Sequence, residues 1–139
     1  MDNPGLERVL ITLEVGDAIV AHALEARPAE CCGLLAGDGR VISSVHRLRN
    51  EAERPEIRYF ASPEDLFAAM KAMREEGLEM MGIYHSHPNS PAYPSKSDVE
   101  LAFYSDSIYF IVSLAGDVEI GAFRIDNGNV WRVEIAASE

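Results

Sequence analysis

The chain has 139 residues, of which 47% are hydrophobic and 25% are charged, and this composition predicts one domain, residues 1–139, with an ordinary core. The formal charge of −11 disfavours nucleic acid and anionic membrane surfaces as partners, because like charges repel. Charges interrupt every apolar run, so no membrane span is expected, and no signal peptide is recognisable. We therefore expect a cytoplasmic protein.

The first fifty residues predict a strand, a helix and a β-hairpin. The strand segments are rich in small apolar or β-branched residues, and the helix should end before Pro28, which disfavours helical angles in the residue that precedes it. The turn Gly37–Arg40 contains Asp-Gly, which favours positive φ angles. The predicted bounds are 9–13 for the first strand, 17–26 for a helix capped by Asp17, and 31–36 and 41–48 for the hairpin.

The remaining residues predict two helices and four strands. A polar loop at 50–55 and a short segment at 57–60 that can pair as a strand come first. Ser62 and Pro63 then indicate a helix N-terminus, with Asp65 bonding back to the cap, and Gly77 ends that helix. The predicted helices are 63–76 and 97–104, and the predicted strands are 78–84, 108–114, 118–125 and 130–135. Together the elements predict one α/β domain in which helices flank a mixed sheet.

Two histidines, His85 and His87, follow the predicted strand at 78–84. Because alternate side chains of a strand point to the same side, both imidazoles can bind one metal ion. Asp98 follows a loop that two prolines stiffen, and this loop can bring it back as a third ligand. Two imidazoles and one carboxylate leave the fourth tetrahedral position to water, which is the pattern of a catalytic zinc site.

Each part of this pattern also has an ordinary structural interpretation. One histidine can be packed and the other exposed without any metal. Ser95 and Asp98 have the spacing of a capping box, and a carboxylate that binds a metal is poorly placed to bond to its own cap amide. Glu30, at the start of an uncharged strand, can be an exposed strand-end carboxylate. The residues alone leave these alternatives open.

Several other catalytic patterns are absent from the sequence. There is no His-Glu-x-x-His run of the helical zinc proteases and no Pro-Cys-x-x-Cys of the zinc deaminases. A barrel amidohydrolase needs about 200 residues or more. The Gly-x-Ser-x-Gly elbow of serine hydrolases is missing as well. These other patterns therefore fit the sequence less well than the His-x-His pattern does.

Taken together, Glu30, the run His-Ser-His-Pro at 85–88, Ser95 and Asp98 resemble the JAMM (MPN+) metalloprotease motif. That motif consists of Glu, a long gap, His-x-His-Pro, six residues and Ser-x-x-Asp, and this chain matches each position. The resemblance covers nearly the whole chain and implies the JAMM/MPN fold, which is cytidine deaminase-like. The compact chain is most similar to the small stand-alone prokaryotic branch of the family.

The resemblance implies a role for each residue of the motif. His85, His87 and Asp98 would bind Zn²⁺, Glu30 would be the general base, and Ser95 would donate a hydrogen bond to the developing oxyanion. Members of the family typically cleave amide or isopeptide bonds at the C-terminal tail of ubiquitin-like proteins, and the prokaryotic branch is associated with ubiquitin-like sulfur carriers. The resemblance therefore implies a peptidase with such a protein as its substrate.

Two alternatives remain beside this interpretation. The chain can be a non-catalytic MPN-type module that binds a ubiquitin-like tail or scaffolds an assembly. The adjacent Cys31 and Cys32 can pack as small hydrophobes, or one of them can bring a thiolate to the zinc as an inhibitory fourth ligand. The oligomeric state is not predicted.

Overall fold

Residues 7–138, the part of the chain that the computed structural model describes, contain seven strands and three helices. The strands are β1 (Arg8–Thr12), β2 (Cys32–Gly37), β3 (Val41–Leu48), β4 (Glu79–His87), β5 (Ile108–Ser113), β6 (Glu119–Asp126) and β7 (Asn129–Ser138). The helices are α1 (Leu13–Ala26), α2 (Pro63–Glu75) and α3 (Lys96–Glu100). None of these helices is long and apolar enough to cross a membrane.

The strands form one mixed sheet that closes on itself in the order β1-β3-β2-β4-β5-β6-β7. Strand β1 closes the ring, because all five of its residues pair with β7 in a parallel ladder. On its other side it meets β3 at only two residue pairs, Leu10–Val41 and Ile11–Ile42. The mixed sheet with helices confirms the predicted fold class, and its closure into a barrel is a feature that the sequence pattern did not predict.

Two hydrophobic clusters lie on opposite faces of this sheet. Because side chains alternate along a strand, Leu35 joins the cluster around α1, whereas its neighbours Leu34 and Ala36 join the cluster that contacts α2. The helices contribute Val15, Ile19 and Ala23 from α1, and Ala69 and Met73 from α2. Burial of both faces explains why the sequence of β2 is continuously apolar instead of alternating.

Helix α1 begins before its predicted cap. Thr12, the last residue of β1, has an extended backbone, and its Oγ1 accepts a hydrogen bond from Val15 N at 3.2 Å. The prediction of Asp17 as the cap is therefore wrong, because β1 leads directly into the helix with a threonine already in capping geometry. Asp17 is an exposed residue inside the helix.

Helix α2 starts at the predicted residue, but its capping box is incomplete. Ser62 Oγ accepts a hydrogen bond from Asp65 N at 3.2 Å, and Gly77 follows the helix with a φ of 73°. The carboxylate of Asp65 bonds to Arg49 instead of the cap, accepting from the backbone N at 2.8 Å and from Nε at 3.0 Å. The charged guanidinium is the stronger partner, and the cap amide donates to Arg49 O at 2.9 Å.

Two other predicted elements differ from the structure. Residues 57–60 form no strand, and the nearest pairing is an isolated bridge between Asn50 and Ala61. The amide of Phe60 is bound by the Asn50 side chain instead of by a neighbouring strand. Helix α3 ends at Glu100, four residues before the predicted end.

Strand β4 carries the two histidines of the motif within it. It extends to His87 instead of ending at Tyr84, and it pairs antiparallel with β2 and parallel with β5. The registers place His85 beside Cys32 and His87 beside Ser113. Because strands flank both histidines, their backbone positions are fixed before any ligand binds.

Candidate metal centre

The carboxyl end of β4 and the first turn of α3 bring three potential metal ligands together. His85 and His87 are 1% and 3% exposed, and their spacing in the strand aims both imidazoles at the same side. Asp98 approaches them from α3. His85, His87 and Asp98 thus form one group of side chains able to hold a metal ion, as the sequence predicted.

The three candidate ligand atoms form a nearly equilateral triangle. His85 Nε2 lies 3.2 Å from His87 Nε2 and 3.1 Å from Asp98 Oδ2, and His87 Nε2 lies 3.0 Å from the same oxygen. In a tetrahedral site with bonds of about 2.0–2.1 Å, neighbouring ligand atoms are about 3.3–3.4 Å apart. The triangle is therefore only slightly smaller than a tetrahedral ion requires.

The hydrogen bond on the far side of His87 indicates that its Nε2 is a ligand atom. His87 Nδ1 lies 2.8 Å from Pro91 O, so Nδ1 carries a proton, and in the neutral ring Nε2 has a lone pair. That lone pair faces Asp98 Oδ2, which is also an acceptor. Two acceptors at this distance repel each other unless a proton or a metal ion lies between them. The donor set therefore fits a bound metal ion.

Burial and mutual contact shift the pKa values of all three groups. Burial lowers the pKa of His85. For His87, burial acts in the same direction, but hydrogen bonds to Asp98 and Pro91 outweigh it and raise the pKa. For Asp98, burial favours a higher pKa, but hydrogen bonds from both histidines hold the pKa well below its usual range. The carboxylate is therefore ionised, and a metal ion can replace the proton that it shares with the imidazoles.

Asp98 also completes the capping box of α3. Its Oδ2 accepts a hydrogen bond from Ser95 N at 2.9 Å, and Ser95 Oγ accepts one from Asp98 N at 3.0 Å. Capping and metal binding, which the sequence presented as competing interpretations, involve the same carboxylate oxygen in the structure. The cap thereby holds the carboxylate in the orientation that faces the two imidazoles.

Glu30 is buried beside this group and is only 6% exposed. Glu30 lies two residues before Cys32, the first residue of β2. Because Cys32 pairs with His85 in the antiparallel ladder of β2 and β4, continuing this pairing by two residues puts Glu30 opposite His87. Its Oε1 is buried without a hydrogen-bond partner among residues 7–138. Burial raises the pKa of Glu30 to about 7, while the charge of His87 lowers it and that of Asp98 raises it. Such a carboxylate can accept and release a proton near neutral pH.

The loop between β3 and α2 holds the backbone of Glu30. Its N–H donates to Pro55 O at 2.7 Å, and its carbonyl oxygen accepts from Asn50 Nδ2 at 3.0 Å. Glu30 lies outside any strand, and this one loop therefore provides the hydrogen-bond partners of both its N–H and its carbonyl oxygen. The loop therefore fixes the position of the carboxylate relative to β4.

A groove of about 780 Å³ leads away from Asp98. One wall is the loop 51–61, and the other includes Leu101, Phe103 and Tyr104 after α3. Most of the lining is apolar, and Phe103 is 76% exposed. Asp98 is the member of the ligand group that lines the groove, so a chain bound in the groove can contact the site at this residue.

Tyr59 and Asn50 are two residues of the site that were not predicted from the sequence. The ring of Tyr59 stacks on that of His85, with the centroids 4.5 Å apart and an interplanar angle of 26°. The available signal was an aromatic residue directly after the charged stretch 51–58. Nothing in the local pattern indicates that this ring reaches a histidine on β4.

The remaining histidines and the two cysteines lie outside the ligand group. His22 Nδ1 contacts Tyr84 OH at 2.6 Å, and His46 Nε2 contacts the hydroxyl of Ser44 at 3.0 Å. Burial raises the pKa of Cys31 to about 11 and that of Cys32 to about 12. Neither sulfur belongs to the group of candidate ligand atoms among the described residues, and the thiol of Cys32 donates to Leu48 O at 3.7 Å instead.

Comparisons with known proteins agree with the motif. Residues 12–126 match the family described as prokaryotic homologs of the JAB domain. The chain is 36% identical over 115 residues to a desampylase of Haloferax volcanii, and the match covers 78% of this chain and 83% of that protein. It is 34% identical over 125 residues to a CysO-cysteine peptidase of Mycobacterium tuberculosis, covering 88% of this chain and 86% of that protein.

The fold has a similar solved structure. A solution structure of a protein from Desulfitobacterium hafniense is 36% identical, has a TM-score of 0.85, and covers 94% of this chain and 93% of that chain. The family match, the relatives and the ligand group agree with one another. The chain therefore belongs to the prokaryotic JAB-domain family, whose members are of the JAMM/MPN type.

Proposed function

We propose that this chain is a zinc-dependent peptidase that hydrolyses an amide or isopeptide bond at the C-terminal tail of a ubiquitin-like or sulfur-carrier protein. One observation carries the proposal: the group His85, His87 and Asp98 lies beside Glu30, whose buried Oε1 has no hydrogen-bond partner in the described part of the chain. A module that only binds a tail or scaffolds an assembly has no use for this carboxylate. Its presence favours an enzyme.

Zinc is the metal that best suits this donor set. Imidazole nitrogens combined with one carboxylate oxygen favour zinc and its transition-metal neighbours. Magnesium and calcium prefer six or more oxygen ligands, which this site does not offer. The three ligand atoms of His85, His87 and Asp98 would hold zinc in a tetrahedral site, which would leave the fourth position for water or substrate.

Glu30 and Ser95 supply the proton transfer and the oxyanion contact. When bound, zinc contributes Lewis-acid chemistry, which polarises a carbonyl group and makes water more acidic. Glu30 removes the proton from the attacking water and delivers it to the leaving nitrogen as the C–N bond breaks. Ser95 donates its hydroxyl hydrogen to the oxygen on which negative charge develops. The products are a carboxylic acid and an amine, so one water molecule is consumed.

The relatives and the groove together support the substrate class. The similar proteins of Haloferax volcanii and Mycobacterium tuberculosis are named as a desampylase and a CysO-cysteine peptidase. Strand β4, which carries the two histidines, already pairs with β2 on one side and β5 on the other, so a tail cannot add beside it as a further strand. We therefore expect the extended tail to lie in the apolar groove, with its scissile bond near Asp98.

The proposal is tested with Glu30→Gln, which keeps the size of the side chain but removes its basicity. The substrate is a small ubiquitin-like sulfur carrier whose Gly-Gly terminus is extended by one amino acid or a short peptide. Removal of a general base should lower kcat by about 10²- to 10⁴-fold. Zinc content should remain one ion per chain, because Glu30 is outside the ligand group. Mass spectrometry measures cleavage, and metal analysis measures zinc.

Glu79→Gln is the matched control, because Glu79 is an exposed carboxylate at the opposite end of β4. It should cleave the substrate at the wild-type rate. Zinc in both wild type and Glu30→Gln without cleavage by either would contradict the peptidase and favour the binding module. No zinc in the wild type after reconstitution would contradict the metal site itself.

A further inference from the structure

The two histidine ligands are supported differently on the side that faces away from the metal site. His87 Nδ1 donates to Pro91 O at 2.8 Å, whereas His85 Nδ1 is buried and has no hydrogen-bond partner among residues 7–138. A metal-bound histidine usually has its second ring nitrogen hydrogen-bonded, because that bond fixes the tautomer and the ring orientation. Another interaction must therefore orient the ring of His85.

The ring of Tyr59 covers the imidazole of His85. Their centroids lie 4.5 Å apart with an interplanar angle of 26°, within the range of stacked aromatic pairs. The χ2 torsion of histidine is broad, and a ring stacked on the imidazole restricts rotation about it. Tyr59 also packs against the hydrophobic cluster on the α2 side of the sheet, so its own ring is held in place.

Asn50 fixes Tyr59 by binding the residues on both sides of it. Asn50 Nδ2 donates to Arg58 O at 3.0 Å, and Asn50 Oδ1 accepts from Phe60 N at 2.9 Å. The same Nδ2 also donates to Glu30 O at 3.0 Å. One side chain therefore connects the backbone of Glu30 to the loop segment whose aromatic ring lies on His85.

We propose that Tyr59 is a positioning residue of the metal centre, whose ring orients His85 in place of the missing hydrogen bond at Nδ1. The inference rests on the proposed metal site and adds a determinant of its affinity and geometry. Because Tyr59 also lines the groove, a substrate tail bound there lies against the ring that orients the metal ligand. The loop thereby links the substrate groove to the metal centre.

The experiment compares Tyr59→Phe, which keeps the aromatic ring, with Tyr59→Leu, which keeps an apolar side chain but has no ring. Zinc affinity is measured by competition with a chromophoric chelator, and ligand geometry by the visible spectrum of the cobalt-substituted protein. Tyr59→Phe should match the wild type in both. Tyr59→Leu should bind zinc about tenfold more weakly, as expected for loss of an outer support of a ligand, and should show altered cobalt bands.

Phe60→Leu is the matched control, because Phe60 is the adjacent aromatic residue of the same loop and is 59% exposed. It should retain the wild-type zinc affinity and cobalt spectrum. Circular dichroism of the metal-free proteins verifies that each variant is folded. If Tyr59→Leu does not fold, Tyr59→Met replaces it, because a flexible apolar chain fills the space without providing a stacking face.

Three results would overturn the inference. These are wild-type affinity and spectrum in Tyr59→Leu, an equal loss in Tyr59→Phe that assigns the effect to the hydroxyl, and an equal loss in Phe60→Leu that assigns it to general packing of the loop. Absence of zinc binding by the wild type would overturn the proposed function, and the positioning role with it. Failure of the positioning role alone is therefore distinguishable from failure of the metal site.

Discussion

Ser95 has two hydrogen-bonding tasks that use different parts of its hydroxyl group. The oxygen accepts a hydrogen bond from Asp98 N at 3.0 Å and so caps α3. That bond leaves the hydroxyl hydrogen available for donation to another acceptor. In the proposed reaction this acceptor is the substrate oxygen on which negative charge develops. A substitution that keeps the helix cap but removes the hydroxyl donor therefore tests the donor role separately.

We predict that Ser95→Asn retains the fold and loses most of the activity. Asparagine is an effective N-cap, so the unfolding temperature should stay close to that of the wild type. Its amide cannot reproduce the hydroxyl donor at the same position, and kcat should fall by about 10²- to 10³-fold with little change in KM. Steady-state kinetics and thermal unfolding measure the two effects. Ser95→Thr, which keeps both tasks, is the control, and a wild-type kcat in Ser95→Asn would exclude the oxyanion role.

The residues of the site were predictable to different degrees. His85, His87, Asp98 and Ser95 could be grouped because strand alternation and a short loop bring them together, and the structure brings them to one place. The burial of Glu30 could not be derived locally, because it depends on the pairing of β2 with β4 and on a distant loop. Only the resemblance to the family motif indicated its role.

At the scale of elements, one polar pair joins α1 to the strand that carries the metal ligands. His22 on α1 lies 2.6 Å, through its Nδ1, from the hydroxyl oxygen of Tyr84, the residue before His85. Burial lowers the pKa of His22 to about 4, with Arg47 acting in the same direction and Glu25 against it. The imidazole is therefore neutral in the folded protein at pH 5 and above.

We predict that this pair makes the fold sensitive to mild acid. His22 titrates near 6.5 in the unfolded chain and near 4 in the folded one, so between these pH values the unfolded chain binds the additional proton. The free energy of unfolding should therefore fall as the pH falls through this window, by roughly 1 kcal/mol between pH 7 and pH 5 after allowance for solvent screening. Urea unfolding at both pH values measures it.

His22→Asn removes the titrating group and should reduce the loss of stability between pH 7 and pH 5 by that amount. The change in the free energy of unfolding between pH 7 and pH 5 is compared in the variant and the wild type. Groups that titrate equally in both proteins contribute equally to this change, so their contributions cancel in the difference. An identical loss in both proteins would show that His22 does not contribute to the pH dependence.

The sequence predicted regular elements better than their ends and connections. Continuous apolar runs identified the buried strands, because both faces of the sheet are covered. The N-cap of α1 at Thr12 was missed because a capping threonine within a strand pattern has no separate signal. The structure of the loop 50–61 was missed because Asn50 organises it through side-chain hydrogen bonds to Arg58, within the loop, and to Glu30, twenty positions away. Such bonds leave no periodic pattern.

At the scale of the whole molecule, the site depends on the topology of the barrel. Strand β4 lies between β2, which brings Glu30, and β5, which supports the two histidines from the other side. Parallel pairing of β1 with β7 joins the two ends of the described chain and closes the sheet. This long-range pairing has no local sequence signal. The site is therefore preorganised by the fold as a whole, and metal binding should be coupled to global stability.

We predict that zinc raises the unfolding temperature of the wild type. At a free zinc concentration of about one hundred times Kd, binding adds about 2.7 kcal/mol to the free energy of unfolding. For a domain of this size the unfolding temperature should rise by about 8–11 °C, and a strong chelator should reverse the change. Thermal unfolding with and without zinc measures the effect, and Glu30→Gln should show the same rise because Glu30 is not among the ligands.

Asp98→Asn distinguishes this site from weak binding to an acidic surface. The chain carries a net charge of −11, so exposed carboxylates attract divalent cations wherever they cluster. Asparagine keeps the size of the side chain and can still accept from Ser95 N, but it removes the charge that faces both imidazoles. The rise in unfolding temperature should therefore disappear in this variant. A rise equal to that of the wild type would mean that zinc stabilises the protein by binding elsewhere.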